Sequence, residues 1–352
     1  MERFRQYFVL IFIFLGQYFS VFAQKEPIFS QFYASSIYLN PALSGLEHKV
    51  AFSGIHRSQW VGINPYTSSQ FAVIVPYHDK GEKNYHKGGF GANILNSNMG
   101  GGINLLWFSI NAAYNLHIAA TTAQNITFGI QLGGIQMQGN SQNYIWGSSY
   151  DASTGTQNST NNNDANYQNI PSKFHPEVGA GLLYYYNAGR NIYQPGISAY
   201  FGFAASHLTR PNESYVQGVT VRAPILLKFH GGIEIHVAKN LNFSPNYIYV
   251  LQASDNMLMA GGNFTYLFTD HEEYLRPTKI AIGSSYRFND GLVFLLGFGN
   301  KHFNLGLSYD FGTSALSKSG FGTASTYEIS FKTTVHFSKK TKKSSKFHTP
   351  LM

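Results

Sequence analysis

Tyr327 to Phe337 reads YEISFKTTVHF. Its odd positions are Tyr327, Ile329, Phe331, Thr333, Val335 and Phe337; its even positions are Glu328, Ser330, Lys332, Thr334 and His336. A strand sends alternate side chains to opposite faces, so one face of this run suits hydrocarbon and the other suits water or a polar filling. The run is long for an ordinary soluble strand and matches a tilted crossing of a bilayer. It ends on Phe337, at the level where outer-membrane barrels carry an aromatic girdle. We therefore expect a closing strand with Phe337 as its assembly signal.

The composition fits that reading. Charged residues make up only 12%, aromatics 16%, and there are 35 glycines, which is far from a helical soluble enzyme. A mean hydropathy of −0.16 excludes a polytopic helical membrane protein. Transmembrane barrels combine these features because only alternate residues meet lipid. With no cysteine, disulfides, thiolate nucleophiles and cysteine metal sites are excluded.

Working outward, the start of the chain has the form of a signal peptide. Arg3 and Arg5 precede an apolar run from Phe8 to Leu15, and Val21-Phe22-Ala23 fits a small-residue cleavage site after Ala23. Export then implies a bacterial outer membrane. The formal charge of +8 is concentrated at the ends, in Arg3 and Arg5 and in Lys339, Lys340, Lys342, Lys343 and Lys346, which leaves a nearly neutral body. The basic end reads as a solvated extension or a handle for an acidic partner, not as a nucleic-acid site.

Between the ends, strand-like runs follow one another without an amphipathic helix. They cover 47–58, 66–77, 88–97, 105–117, 124–138, 176–186, 194–204, 223–238, 241–252, 256–268, 278–288, 291–299, 301–311 and 323–337. That makes about fourteen, an even number as bacterial single-chain barrels require. The longest connections, 139–175, 205–222 and 312–322, each join an odd strand to the next even one, so all fall on one side. Long loops outside and short turns inside is the outer-membrane rule; 78–87 and 269–277 are longer than it favours. Gly133-Gly134 shifts the apolar phase and predicts a bulge; Pro245, lacking an N–H, predicts a strand start or a bulge.

The first stretch of the exported chain, QKEPIFSQFYASSIYLNPALSG, has neither alternation nor helical periodicity. Its aromatics are costly in water, so it reads as an arm packed against or inside the barrel. The organisation expected is a signal peptide over 1–23, an arm over 24–46, an all-β antiparallel transmembrane barrel over 47–337 and a basic tail over 338–352. Arg57, Lys228, Glu234, Arg287, Asp310 and Glu328 fall on the inward face. They would either line an aqueous channel or pair inside a filled barrel; frequent inward Gly and Ala, with Val293 and Leu295, favour the filled one. No catalytic motif is visible, and His48, His56, His86 and His117 are dispersed, so neither an enzyme nor a cofactor or metal site is expected.

The arm also carries a resemblance. Phe29-Ser30-Gln31-Phe32-Tyr33, then Tyr38-Leu39-Asn40-Pro41-Ala42 and Gly45, resemble the opening of the PorP/SprF family, outer-membrane proteins of the type IX secretion and gliding machinery. The likeness continues through Arg57-Ser58-Gln59-Trp60, His207-Leu208, Pro211-Asn212, Ser308-Tyr309-Asp310 and Tyr327-Glu328-Ile329-Ser330. It implies secretion or surface retention of a specific adhesin or cargo with a C-terminal sorting domain. It also implies contact with periplasmic and outer-membrane parts of the machine. On this reading Phe29, Gln31, Phe32, Tyr33, Tyr38, Asn40 and Pro41 are candidates either to meet a partner or to plug the barrel. The competing function is a channel for small or hydrophobic solutes, of the fatty-acid-transporter type.

Overall fold

The computed structural model describes residues 26–61, 66–77, 87–100, 102–119, 123–139, 150–151, 156–157, 172–187, 196–214, 218–268, 278–300, 302–313 and 325–335. The expected signal peptide, the basic tail and Phe337 lie outside the described residues. Two short 3-10 segments, Phe32–Tyr38 and Pro41–Gly45, open the described chain. The barrel strands follow: β1 Val50–Gln59, β2 Tyr66–Tyr77, β3 Gly88–Met99, β4 Ile103–Ala119, β5 Ala123–Gly139, β6 Lys173–Asn187, β7 Ile197–Ser206, β8 Leu226–Ala238, β9 Leu241–Gln252, β10 Asp255–Leu267, β11 Lys279–Arg287, β12 Gly291–Gly299, β13 Phe303–Gly312 and β14 Thr326–Val335. A two-residue ladder, Tyr150–Asp151 with Thr156–Gln157, sits apart in the β5–β6 connection.

Among the described residues the fourteen strands form one closed antiparallel barrel in chain order. β1 closes it against β14, with Arg57 opposite Glu328 and Gly54 opposite Phe331. Each expected strand has its counterpart, with ends shifted by a few residues. The strands alternate as the sequence does. On β14, Tyr327, Ile329 and Phe331 are exposed on the outside while Glu328 and Ser330 are buried inside. Outward Tyr286, Phe288, Tyr309, Phe311 and Tyr327 ring one end, and outward Tyr77, Tyr114, Tyr184, Tyr266 and Phe268 ring the other. An apolar band between two aromatic girdles is the surface a bilayer selects, and closure satisfies every strand edge within it.

The long connections, 140–172, 207–225 and 313–325, lie at one end, the outer end by the loop-length rule. The chain enters β1 and leaves β14 at the opposite, inner end, together with the tight Lys239-Asn240 turn.

Two sequence expectations are corrected. Gly133-Gly134 makes no bulge: the β4–β5 and β5–β6 registers run unshifted through both glycines. Gly134 faces outward beneath the stacked rings of Phe108 and Phe174, while Ile135 and Met137 point inward onto Trp107. The apolar residues change face because the lumen itself is apolar at that height, and the backbone does not slip. Pro245 lies in the interior of β9, in unbroken register with Gly262 on β10. The β8–β9 ladder instead skips from the Gly232–Asn246 pair to the Ile235–Phe243 pair, so the missing N–H falls in a gap of one ladder.

Candidate functional site

The lumen holds the arm. From Glu26 near the outer end it runs inward, and it reaches the inner end where β1 begins. Three apolar patches of the wall grip it. Phe32, Tyr33, Leu39, Leu43 and Leu46 pack with Leu183, Tyr185, Ile248, Met259, Val293 and Leu295. Phe29 and Tyr38 pack with Ile55, Leu95, Leu105, Trp107, Ile135 and Met137. Ile37 meets Ala51, Ala72 and Ile74. Fully burying an aromatic or aliphatic side chain contributes roughly 1.5–3 kcal/mol, which explains why an aromatic-rich arm leaves water for the lumen.

Glycines form its seat. A Cβ on Gly89 would overlap the Ser44 carbonyl oxygen, one on Gly129 the Pro41-Ala42 peptide, and one on Gly181 the Asn40 side chain. Only residues without side chains let the arm lie this close to the wall. Asn40 then organises the bend. Its Oδ1 accepts from Ala42 N at 2.9 Å, capping the second 3-10 segment at Pro41. Its Nδ2 faces the Leu182 and Phe203 carbonyl oxygens at 3.1 and 3.2 Å and His230 Nε2 at 3.1 Å. At the inner end Asn115 Nδ2 donates to Gly45 O at 2.7 Å.

Toward the outer end a buried charge network holds the other part of the arm. Glu328 accepts from Ser30 N at 2.7 Å and Gln31 N at 2.8 Å, and Arg57 donates to Glu328 at 2.5 Å. Arg57 also reaches Asp310 at 3.3 Å, and Arg287 meets Asp310 at 3.1 Å. Ser30 Oγ sits between them, donating to Asp310 at 2.5 Å and accepting from Arg57 and Arg287 at 2.9 and 2.6 Å. Gln31 completes the set through Ser308 and Ser330. Two cations face two carboxylates, so each buried charge is paired and hydrogen-bonded, as burial demands.

A second latch holds the start of the described arm from the β6 and β7 side of the barrel. His207 donates its backbone N–H to Glu177 at 2.6 Å, and its ring nitrogens meet Glu177 at 2.8 Å and Glu26. Burial opposes charge on the imidazole, but the Glu26 and Glu177 carboxylates outweigh it and push its pKa up to about 10. His207 has φ 61°, and the turn after it is held by Asn212, whose Oδ1 accepts from Ser214 N at 3.1 Å and Val221 N at 2.9 Å. Lys228 donates to Tyr38 O at 2.9 Å and lies 4.2 Å over the Tyr38 ring.

The structure thus brings together Arg57, Arg287, Asp310 and Glu328, puts Lys228 on the arm itself, and leaves Glu234 half-buried toward the inner end, outside the network. Phe29, Gln31, Phe32, Tyr33, Tyr38, Asn40 and Pro41 are all buried. Sequence reading did not single out Glu26, Glu177, His207 or the glycine seat for this contact. Only the His207-Leu208 pair was flagged, with no partner to suggest its role.

Comparison with known proteins now bears on this arrangement. The model of the family described as type IX secretion system membrane protein PorP/SprF matches residues 21–333. The chain belongs to the PorP/SprF family. It is an outer-membrane barrel and a membrane component of type IX secretion. The matched range takes in both the arm and the closing strand. No match was found among curated proteins. Among solved structures, the Ralstonia pickettii toluene transporter TbuX is 12% identical, with a TM-score of 0.45, covering 86% of this chain and 93% of that one. The CymD monoaromatic hydrocarbon channel gives the same values. A Pseudomonas aeruginosa FadL homologue is 9% identical, with a TM-score of 0.42, covering 84% and 93%.

Proposed function

We propose that this PorP/SprF barrel supports secretion or surface retention of one specific adhesin or cargo bearing a C-terminal sorting domain, and does so without catalysing a reaction. Family membership supplies the secretion role. The observation that supports the finer reading is the filled lumen: the arm motif, from Phe29 to Gly45, is spent on apolar packing, glycine seating and buried ion pairs. A barrel built this way serves as a closed platform. On this reading Phe29, Gln31, Phe32, Tyr33, Tyr38, Asn40 and Pro41 hold the plug, and cargo and machine components meet the outer connections and the inner rim. The buried arm speaks against general diffusion and against a solute channel as the main role.

Deleting the gene tests this. One large protein should disappear from the cell surface, retained in the cell or shed, with outer-membrane permeability unchanged. Normal surface display together with failure to take up a small nutrient would instead favour the channel.

A further inference from the structure

At the outer end two stretches of the β7–β8 connection, 211–213 and 221–223, pair with each other. Glu213 N donates to Val221 O at 2.8 Å and Ala223 N to Pro211 O at 2.9 Å, with Asn212 opposite Arg222 between them. In this antiparallel pattern Val221 and Ala223 turn their bonded groups toward 211–213, so Arg222 turns its N–H and C=O to the other side. Nothing stands there to receive them. The neighbouring β9–β10 connection is only Ala253-Ser254, with Gln252 already paired to Asp255. Among the described residues neither backbone group of Arg222 has a hydrogen-bond partner. The same stretch leaves apolar side chains in water: Val219 and Val221 are 48% and 53% exposed, and Thr220 and Arg222 are exposed beside them.

This edge is held in place. Asn212 ties the two stretches together through Ser214 N and Val221 N, and Lys173 on β6 donates to Ser214 O. His207, at the base of the connection, is latched to Glu177 and to Glu26 of the arm. An edge ordered in advance loses less entropy when a partner pairs with it than a loop that must first be fixed.

We propose that the 219–222 edge is a docking site for an extended segment of the secreted polypeptide, which adds to it as a further strand. The inference rests on the cargo role proposed above and names the surface that serves it. An unpaired strand edge is a template for another chain: backbone hydrogen bonds supply affinity, and alternate side chains, here Val219 and Val221, supply selectivity. A second copy of this protein is a poor occupant. Antiparallel self-pairing about the edge would bring two Arg222 guanidiniums together, and like charges across a strand pair are destabilising.

The probe is the large protein that deletion of the gene removes from the cell surface. A photo-crosslinking amino acid in place of Thr220 should join the barrel to that protein in living cells. The same amino acid in place of Lys239, in the inner β8–β9 turn, should not. Arg222→Pro removes the free N–H and spares the bonds at Val221 and Ala223, so surface display should fall at least several-fold with heat-modifiability unchanged. Arg222→Ala keeps the N–H and should retain most of the display. If Arg222→Pro does not reach the heat-modifiable form, the crosslinks decide. No crosslink at Thr220, a crosslink there only to a second copy of the barrel, native display by Arg222→Pro, or equal loss in Arg222→Ala each overturn the proposal and leave the cargo role standing. Normal surface display in the deletion strain overturns the cargo role, and this proposal with it.

Discussion

Arg57 holds the outer half of the plug through charges that are almost wholly buried. Replacing it by Met leaves Glu328 and Asp310 sharing Arg287, with one carboxylate uncompensated in the interior. We expect Arg57→Met to destabilise the folded barrel by about 3–5 kcal/mol, read as a lower urea midpoint for the heat-modifiable form. His207 gives a pH dependence with a definite sign. Its pKa is about 10 in the folded protein and rises from an ordinary 6.5, so its stabilisation is fully present below about 6.5 and is lost as pH climbs through about 10. The stability difference between the native chain and a His207→Gln variant should therefore be steady at mildly acid pH and shrink toward zero above about pH 10. A difference that grows with pH would contradict the pairing with Glu26 and Glu177.

At the scale of elements, the arm and the glycine-bearing strands form one unit. Gly129→Val places methyl groups where the Pro41-Ala42 peptide lies, so the arm, not the membrane-spanning wall, should give way. The chain has no cysteine, so an Ile28→Cys variant reports arm position through maleimide labelling. Labelling should be slow when the arm is seated and at least several-fold faster when Gly129→Val is added. Replacing Asn40-Pro41 by Ala-Ala should act in the same direction, since it removes the cap on Ala42 and the contacts to β6 and β7. Labelling that is fast from the outset would show that the arm is not held in the lumen. The strands were legible in sequence because each writes its own alternation. Gly129 and Gly181 were not, because a glycine in a strand reads the same whether it bends, packs beneath a ring as Gly134 does, or seats another segment.

Considered as a whole molecule, the barrel is an outer-membrane wall closed around a segment of its own chain. In planar bilayers the purified protein should show no steady conductance at a porin's level, because apolar packing and paired charges occupy the path. The Gly129→Val barrel should conduct measurably more. Large steady currents from the native protein would show that the lumen has a continuous aqueous route past the arm.

The sequence by itself determined the strand number, the outward apolar face, the parity of the long connections and the β1–β14 closure. These follow from a period of two and from chain order, which need no knowledge of distant residues. It also marked Arg57, Arg287, Asp310 and Glu328 as inward. Only the tertiary structure decided that they meet one another and Ser30. Arg57 and Glu328 come from the first and last strands and become neighbours when the cylinder closes. It likewise decided that Ile135 and Met137 face inward without a bulge, and that Glu26, Glu177 and His207 form one latch. Closure brings residues far apart in the chain to the same height of one narrow lumen, and the arm then selects which of them are apolar, which are charged and which must have no side chain at all.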